Sequence, residues 1–291
     1  MTRTYKRYKL SSKNRNNIQY NRKCRTYRRT NNKLNNFIRR ILKNNDEFTK
    51  YWEKITSNIS DDDKKKFHET GNASTYGYMK VNAFQAIINE YNSYNSEIIN
   101  NSKNSEIINN SENSENSENS NNSNNSYNSN SLFQKTDIKK KISQYGNSEI
   151  KTFYDLGSGL GMPNIIASLL LQNLEKSIGI ELSSERTQNA NIILEQFKRN
   201  FTNFGNNIQF INGSILSDNF NYNDADLIWI SSLCFSNEII EQLTTKLNNE
   251  LKNGTHIFTS KELPNLNHKY HNKIRLHMSW TPHSETNHYV I

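Results

Sequence analysis

A glycine-rich segment, Asp155-Leu156-Gly157-Ser158-Gly159-Leu160-Gly161, is the feature that most restricts how this chain can fold. It follows the strand-like run Thr152–Asp155 and precedes Met162-Pro163, where proline suits the first turn of a helix because its missing N–H costs no hydrogen bond there. Glycine permits positive φ and a close approach of the backbone to a ligand. The segment therefore predicts a strand, a tight turn and a helix, with a ligand site at the carboxyl end of the strand.

The spacing and charge of this loop distinguish between two kinds of ligand. A dinucleotide-binding turn has the pattern GxGxxG, whereas this loop is GxGxG and has Asp155 two residues before its first glycine. A carboxylate at that point repels a diphosphate but suits a ligand that carries an ammonium group and a sulfonium. The next strand, Ser177–Glu181, ends in an acid that can accept hydrogen bonds from both ribose hydroxyls; its alternative role is that of an acid at a helix N-terminus. Loop and acid together predict S-adenosyl-L-methionine as the cofactor.

The apolar pattern beyond residue 132 predicts the architecture around this loop. Helix-length segments follow most of its apolar runs, and this alternation is typical of a parallel sheet with helices on both faces. The runs end at Tyr154, Ile180, Ile211, Ile230 and Phe258. The last part differs, because Ile274–Thr281 and Asn287–Ile291, joined by residues 282–285, indicate an antiparallel hairpin. We expect an α/β fold of the class I methyltransferase (Rossmann-like) type, with a mixed seven-stranded sheet, an antiparallel C-terminal hairpin and a small helical subdomain before it.

The N-terminal part is basic and then helical. Fifteen of the 37 Lys and Arg residues, and none of the 28 acidic residues, lie between Met1 and Asn45. Residues 1–30 have no apolar period and are predicted to be a disordered basic arm for nucleic acid or chromatin, since neutralised phosphates release counterions; a solvated tail or a nuclear localisation signal is the alternative. Residues 31–91 are predicted to be a helical N-terminal subdomain. Its apolar residues at helical spacing are Leu34, Phe37, Ile38, Ile41, Leu42, Phe48, Trp52 and Ile55, and a third helix is expected from Val81 to Tyr91.

Residues 92–131 are an Asn/Ser/Glu segment of low complexity. The sequence Asn95–Lys103 is nearly repeated in Asn104–Glu112. So few apolar residues cannot compensate the entropy of ordering, which predicts an inserted surface loop without an assigned function. The catalytic domain that binds the cofactor is then expected over residues 132–291.

Several classes of site and location are disfavoured by what the sequence lacks. Its two cysteines, Cys24 and Cys234, have no metal-ligand spacing, so no metal is expected. The longest strongly apolar stretch, Ile165–Leu171, is too short to span a bilayer, and the N-terminus has no apolar signal region. We expect an intracellular protein without a membrane contact, in a nucleus, a host nucleus or a virus factory, with the cytoplasm as an alternative.

Four separate blocks make the chain resemble one methyltransferase family. They are Tyr76–Lys80, Asp155–Gly161, Leu227–Leu263, and Ser279-Trp280-Thr281 with His288-Tyr289. In these blocks the sequence is similar to the disruptor-of-telomeric-silencing (Dot-one) family, histone lysine methyltransferases that lack a SET domain. The resemblance extends from about Thr75 to Ile291 apart from the insertion, and is far more specific than the glycine loop alone.

The resemblance implies a role for individual residues. Tyr76 and Gly77 belong to a loop that closes over the methionine end of the cofactor. Asp155 and Gly157 would face its amino acid moiety, with Gly159 and Gly161 in the same binding loop. Glu181 would face the ribose, and Ser214 and Ile215 the adenine. The catalytic group would comprise Tyr76 with Ser231, Ser232 and Phe235, the last three lining the channel of the methyl acceptor.

The chain departs from the family at the positions closest to the proposed chemistry. Ser214 replaces an Asp that pairs with the adenine amine, Ser231 and Ser232 replace an Asn pair, and Met162 replaces a Gln. These changes suggest a looser cofactor site and leave the acceptor open. For Phe235, Trp229 and Cys234 the alternative role is packing in the core, and for Lys80 and Lys261 it is a surface or structural role.

The expected function is S-adenosylmethionine-dependent methylation of a protein lysine of the histone type. Methyl transfer is an in-line displacement, so alignment and exclusion of water suffice, and no general base is expected. One alternative keeps the fold but methylates RNA or a small molecule. Another is a catalytically silent module that binds nucleic acid through the basic arm.

Overall fold

The computed structural model describes residues 33–57, 59, 79–110, 149–279 and 281–291, and within 101–110 it describes only the backbone. Residues 1–32, with the predicted basic arm, lie outside this range, as do Tyr76, Gly77 and Trp280. The described elements are α1 (33–43), α2 (Asp46–Thr56), α3 (Val81–Asn110), β1 (Thr152–Leu156), α4 (Met162–Leu170), β2 (Lys176–Glu181), α5 (Ser184–Asn200), β3 (Ile208–Asn212), β4 (Leu227–Ile230), a 3₁₀ turn (Ser232–Cys234), α6 (Asn237–Glu250), β5 (His256–Thr259), β6 (Tyr270–Leu276) and β7 (Ser284–Val290).

The described strands form one sheet of seven, in the order β3-β2-β1-β4-β5-β7-β6. The first five strands of this order are parallel, while β7 lies antiparallel to both β5 and β6. The class I methyltransferase arrangement predicted from the sequence is thereby confirmed. The chain reverses direction in strand order after β3, when β4 is added on the other side of β1, and this switch point is where open α/β sheets bind their ligands.

Both faces of the sheet are covered, because successive side chains of each strand point to opposite faces. In β1, Phe153 packs into the core shared with α4, α5 and the N-terminal helices, whereas Tyr154 packs into the core on the α6 side. Helix α2 lies against α5, where the Phe48 and Phe197 ring centroids are 6.3 Å apart. Helices α1 and α2, which lie within the predicted helical subdomain, therefore belong to the same hydrophobic core as this face of the sheet.

Helix α3 begins at Val81 as predicted but does not end at Tyr91. It continues to Asn110 and so includes the first copy of the repeat and most of the second. Tertiary packing explains the extension just beyond Tyr91, since the Tyr94 ring lies 5.3 Å from His256 and 4.7 Å from Tyr270 between centroids. The prediction that a surface loop begins at residue 92 was therefore wrong for residues 92–110.

The C-terminal hairpin is present with other bounds than those predicted. Strand β6 covers Tyr270–Leu276 and β7 covers Ser284–Val290, so Ser284 and Glu285 are in a strand rather than in the turn. The error arose because alternation alone does not fix register: Leu276 faces Ser284 across the hairpin, and Met278 N–H donates to the Thr281 carbonyl in the connection.

A buried histidine pair joins α3 to the hairpin. The rings of His256 on β5 and His288 on β7 are both buried, and His256 Nδ1 lies 3.0 Å from His288 Nε2. His288 Nδ1 in turn lies 3.3 Å from Glu90 Oε1 on α3. The same carboxylate oxygen accepts hydrogen bonds from Tyr270 Oη at 3.3 Å and Asn272 Nδ2 at 3.0 Å. Glu90 is thus the polar centre of the contact between α3 and the C-terminal strands.

Candidate active site

A cavity of about 580 Å³ opens at the carboxyl ends of β1, β2 and β4, at the switch point of the sheet. Its floor comes from the glycine loop and the residues that follow β2, β3 and β4, and α2 supplies another wall. The lining includes eight of the predicted site residues: Asp155, Gly157, Gly159, Glu181, Ser214, Ile215, Ser231 and Phe235.

The glycine loop has the tight geometry that its sequence predicts. The amides of Gly157 and Ser158 donate to the Ile180 carbonyl at 2.9 and 3.1 Å, which ties the loop to β2. Gly161 has a φ of +78° and caps the N-terminus of α4. A Cβ on Gly161 would lie 2.1 Å from the Phe210 ring, so this glycine faces β3 and does not line the cavity. In this structure Gly161 closes the loop, and its predicted role in cofactor binding stays a prediction.

Asp155 is the most unusual side chain of the cavity. It is 1% exposed, and among the described residues neither of its carboxylate oxygens has a hydrogen-bond partner. Burial, and secondly the charge of Glu181, raise the pKa of Asp155 well above its usual value. A buried carboxylate without a partner is costly, and an ammonium group of a ligand would supply the missing charge and donors. The site therefore fits the amino acid end of S-adenosylmethionine.

Glu181 is held in place by backbone amides. Its Oε2 accepts from Gly159 N–H at 2.8 Å and its Oε1 from Ser183 N–H at 2.9 Å. Arg186 lies 3.9 Å from Oε1. Ser183 is the N-cap of α5, so Glu181 lies at a helix N-terminus, as its alternative role predicts, while its contact with the ribose stays a prediction. An ionised carboxylate has about four lone-pair sites, and two amides leave acceptor capacity for ribose hydroxyls.

The segment after β3 forms the opposite side of the cavity. Ser214 Oγ accepts from Leu216 N–H at 3.2 Å, which folds the segment into a turn. The carbonyl of Ile215 accepts from Tyr222 Oη at 2.8 Å, and this fixes the buried Ile215 side chain. Leu182, which the sequence analysis missed, also lines the cavity although it is 75% exposed. The available signal in the sequence was an apolar residue directly after the acid that ends β2.

The segment from Ser231 to Phe235, here named the acceptor turn, brings only part of the predicted catalytic group to the cavity. Ser231, Cys234 and Phe235 line it. Ser232 does not: its side chain is fully buried and Ser232 Oγ lies 2.9 Å from Thr259 Oγ1, so its predicted place in the acceptor channel is corrected. Cys234 is exposed, which contradicts its alternative role in the core.

Two further side chains of this region combine packing with a place at the cavity. Trp229 is buried in the core and also lines the cavity. The Phe235 ring is half-buried against the glycine loop, since a Cβ added to Gly157 would meet Phe235 Cζ at 3.1 Å.

Two methionines that the sequence analysis did not select line the cavity from opposite directions. Met79 precedes α3 and Met278 follows β6, and both are buried. Lys80 Nζ and Asn82 Nδ2 each lie 3.4 Å from a ring nitrogen of His277, which joins the two segments. The signal was their position, because Met79 lies within one family block and Met278 lies next to another. Tyr76 and Gly77 lie outside the described residues, so their predicted roles stay predictions.

Two further observations apply to the described part of the chain. It contains no group of three or more His, Cys, Asp or Glu side chains arranged to hold a metal ion. None of its helices is long and apolar enough to cross a membrane.

Comparison with known proteins connects this cavity to a family. The family model for the histone methylation protein DOT1 matches residues 107–289. The H3 lysine-79-specific histone-lysine N-methyltransferase of Caenorhabditis elegans is 33% identical over 117 residues, which cover 38% of this chain and 12% of that protein. The chain thus matches only a small part of the length of this relative.

Solved structures resemble the chain more weakly. The geranyl diphosphate C-methyltransferase of Streptomyces coelicolor, solved with S-adenosyl-L-homocysteine, is 14% identical with a TM-score of 0.33, covering 44% of this chain and 46% of its own. The YcgJ protein of Bacillus subtilis is 18% identical with a TM-score of 0.33, covering 40% and 47%. Likeness at this level says nothing about the substrate.

Proposed function

Since this chain belongs to the DOT1 family of histone methylation proteins, we propose that it is an S-adenosylmethionine-dependent methyltransferase that acts on a protein lysine of the histone type. The observation that carries the proposal is the pair of carboxylates on adjacent strands. The carboxylate of Asp155 is buried and has no hydrogen-bond partner among the described residues. The carboxylate of Glu181 is held by two backbone amides and can accept further hydrogen bonds. Both line the cavity that Ser231 and Phe235 of the acceptor turn also line.

Each end of the cofactor has residues suited to it. Asp155 would receive the ammonium group, and Gly157 and Gly159 allow the close approach of the ligand to the backbone. Glu181 would hold the ribose, and Ser214 and Ile215 the adenine side. Tyr76 and Gly77 would cover the methionine end. When bound, S-adenosylmethionine supplies a methyl group on a sulfonium, a donor that is already activated.

The contribution of the protein is then alignment and exclusion of water, which can supply several kcal/mol. A lysine amine must arrive uncharged, and apolar walls lower the pKa of an amine that enters them. Trp229, Phe235, Met79 and Met278 provide such walls. Because the methyl donor is already activated and the amine arrives uncharged, the transfer needs no general base.

The proposed partner is chromatin or nucleic acid, with the basic arm of residues 1–30 bound to the polyanion. Its support is the segregation of charge, since the first 45 residues contain bases and no acids. A nuclear location, or its equivalent in an infected cell, follows from this partner. Removal of residues 1–30 should weaken binding to nucleosomal DNA and reduce its salt dependence, as measured by fluorescence anisotropy at several salt concentrations. Unchanged affinity and slope would refute this role.

A labelling experiment tests the activity. The protein is incubated with S-adenosylmethionine carrying a tritiated methyl group and with nucleosomes, free histones, RNA or DNA in parallel, and Asp155→Asn serves as the control. We expect label on histone lysine, identified by mass spectrometry, and none with the control variant. Label on RNA alone would contradict the lysine acceptor. Absence of cofactor binding in a calorimetric titration would leave only a nucleic-acid-binding scaffold.

A further inference from the structure

The acceptor turn is a short connection between β4 and α6. It joins the end of β4 at Ile230 to the N-cap of α6 at Ser236, and its internal hydrogen bond runs from Phe235 N–H to the Ser232 carbonyl at 2.9 Å. Ser231 has a φ of −80° and a ψ of 67°, outside the helical region. The segment that follows β5 lies behind this turn and contacts it.

Lys261, in the segment after β5, makes contact with both halves of the turn. Its backbone N–H donates to Ser232 Oγ at 2.8 Å, and its ammonium Nζ donates to the Phe235 carbonyl at 2.6 Å. Thr259 Oγ1 adds the contact with Ser232 Oγ at 2.9 Å. The bond from the ammonium group is charge-assisted, and such bonds are about twice as strong as neutral ones. The lysine and the buried serine thus act as one clamp on the turn.

The clamp determines where the Phe235 ring lies. The backbone of Phe235 is fixed by Lys261, and its ring is in van der Waals reach of Gly157 in the glycine loop. Ser231, at the other end of the turn, lines the same cavity. A shift of this turn would change the distance between the acceptor side and the cofactor side of the cavity. Misplacement by about 1 Å can cost about 100-fold in rate.

We propose that Lys261, together with Ser232, is a positioning residue for methyl transfer, which holds the acceptor turn at its working distance from the glycine loop. Lys261 does not touch the reacting atoms in this role. The inference rests on the proposed function. It also gives a role to Ser232, which lies in the Leu227–Leu263 block but is buried and does not line the cavity.

The test compares Lys261→Met, Lys261→Arg and Ser232→Ala in the full chain, with nucleosomes as the acceptor. Lys261→Met keeps the length of the side chain but removes the donor, and we expect kcat to fall about tenfold to 100-fold while the Kd for S-adenosylmethionine changes less than about threefold. Ser232→Ala should behave similarly. Lys261→Arg, which keeps a charged donor, should recover most of kcat. Lys198→Met, which removes a partly exposed lysine paired with Glu195 on α5, is the matched control and should leave kcat unchanged.

Two outcomes would overturn the inference: an unchanged kcat in Lys261→Met, or parallel losses of kcat, cofactor affinity and Tm that indicate a general structural role. Amide hydrogen exchange gives a readout that needs no activity. In Lys261→Met the Phe235 amide should exchange about tenfold faster while that of Leu247 in α6 stays unchanged. If the wild-type chain methylates no nucleosomal protein, the proposed function fails, and this exchange measurement still decides whether Lys261 holds the turn.

Discussion

Asp155 shows at the scale of one residue how a binding site opposes stability. Its carboxyl group is buried with no described partner, and its raised pKa means that the folded state holds a proton more strongly than the unfolded state. Between the unfolded pKa near 4 and the higher folded pKa, the folded state binds more protons, so its stability falls as pH rises. The residue is therefore destabilising at neutral pH unless a cation meets it.

Replacement of Asp155 by Asn should accordingly separate stability from binding. In the absence of cofactor at pH 7, we expect Asp155→Asn to raise the free energy of unfolding by about 1–3 kcal/mol, because an amide is less costly to bury than a carboxylate. The Kd for S-adenosylmethionine should rise on the order of 100-fold or more, since a buried charge pair is lost. Urea unfolding and calorimetric titration measure the two effects.

Asp224 offers the control with the opposite sign. Partial burial acts against ionisation there, but hydrogen bonds from Lys176 and Tyr154 outweigh it and lower the pKa of Asp224. Asp224→Asn should slightly destabilise the chain at pH 7 and leave cofactor affinity unchanged. A less stable Asp155→Asn, or one that binds the cofactor normally, would contradict the role given to Asp155.

Single residues also mark the limit of prediction from the sequence. The loop from Asp155 to Gly159 and Glu181 could be identified because spacing and strand ends determine their place. Ser232 and Cys234 could not be assigned to an inner and an outer side, because a 3₁₀ turn has neither the period of a helix nor that of a strand. The charged clamp of Lys261 was equally invisible, since its partner is a backbone carbonyl 26 residues away.

At the scale of elements, the histidine pair makes the contact between α3 and the C-terminal strands sensitive to acid. Burial, with a further contribution from His288, lowers the pKa of His256 to about 3. Burial also lowers the pKa of His288 to about 4, although the hydrogen bond and charge of Glu90 act in the opposite direction. Both pKa values lie below the unfolded value near 6.5. The stability they contribute is complete above about pH 6.5 and is lost as pH falls toward the folded values.

We expect this pair to remove about 2 kcal/mol of stability per histidine between pH 7 and pH 5. His256→Phe keeps a ring but cannot bind a proton. Its loss of unfolding free energy between these pH values should therefore be smaller by about 2 kcal/mol. His283→Gln, at an exposed position outside this pair, is the matched control. Urea unfolding at both pH values measures the difference. An identical slope in His256→Phe would mean that these rings do not control the acid response.

Helix α3 yields a prediction inside a segment that composition alone would assign to a loop. Tyr94 lies next to the repeated Asn/Ser sequence, yet its ring packs on His256, Tyr270 and His288. Tyr94→Ala should lower the free energy of unfolding by about 2 kcal/mol. Ser93→Ala, at the exposed neighbouring position, should change it by less than about 0.5 kcal/mol. Equal effects of the two substitutions in thermal unfolding would contradict the packing of this turn.

The length of α3 and the bounds of the hairpin were harder to predict than the positions of the parallel strands. The ends of β1, β2, β3, β4 and β5 lie within two residues of the predicted ends of the apolar runs. Apart from β3, which is buried only in part, these strands are largely buried on both faces, and such an apolar run has few other places in the fold. The length of α3 and the bounds of the hairpin depend on contacts with residues distant in sequence. One such contact is the hydrogen bond from Tyr270 to Glu90. Another is the pairing of Leu276 with Ser284 across the hairpin.

For the whole molecule, cofactor binding should appear as added stability. The family prediction is confirmed, and a ligand of the folded state at about 100 times its Kd adds about 2.7 kcal/mol. For a chain of this size that corresponds to a rise in Tm of about 5–10 °C. S-adenosylmethionine should produce this rise in the wild type and not in Asp155→Asn, as measured by differential scanning fluorimetry. A comparable rise with NADH would contradict the distinction between the two loop types.

The wall that α2 contributes to the cavity has a thermodynamic consequence. The cavity is lined on this side by Trp52, Glu53 and Thr56 of α2, and on its other sides mainly by residues from Asp155 onward. A ligand that touches both parts must hold the helix to the sheet by as much free energy as the helix adds to the binding of the ligand, because such coupling is reciprocal. If a substitution weakens the packing of α2 on the sheet, the resulting loss of ligand affinity therefore measures how much the bound ligand stabilises that packing. Binding of a ligand in the cavity and packing of α2 on the sheet are thus linked.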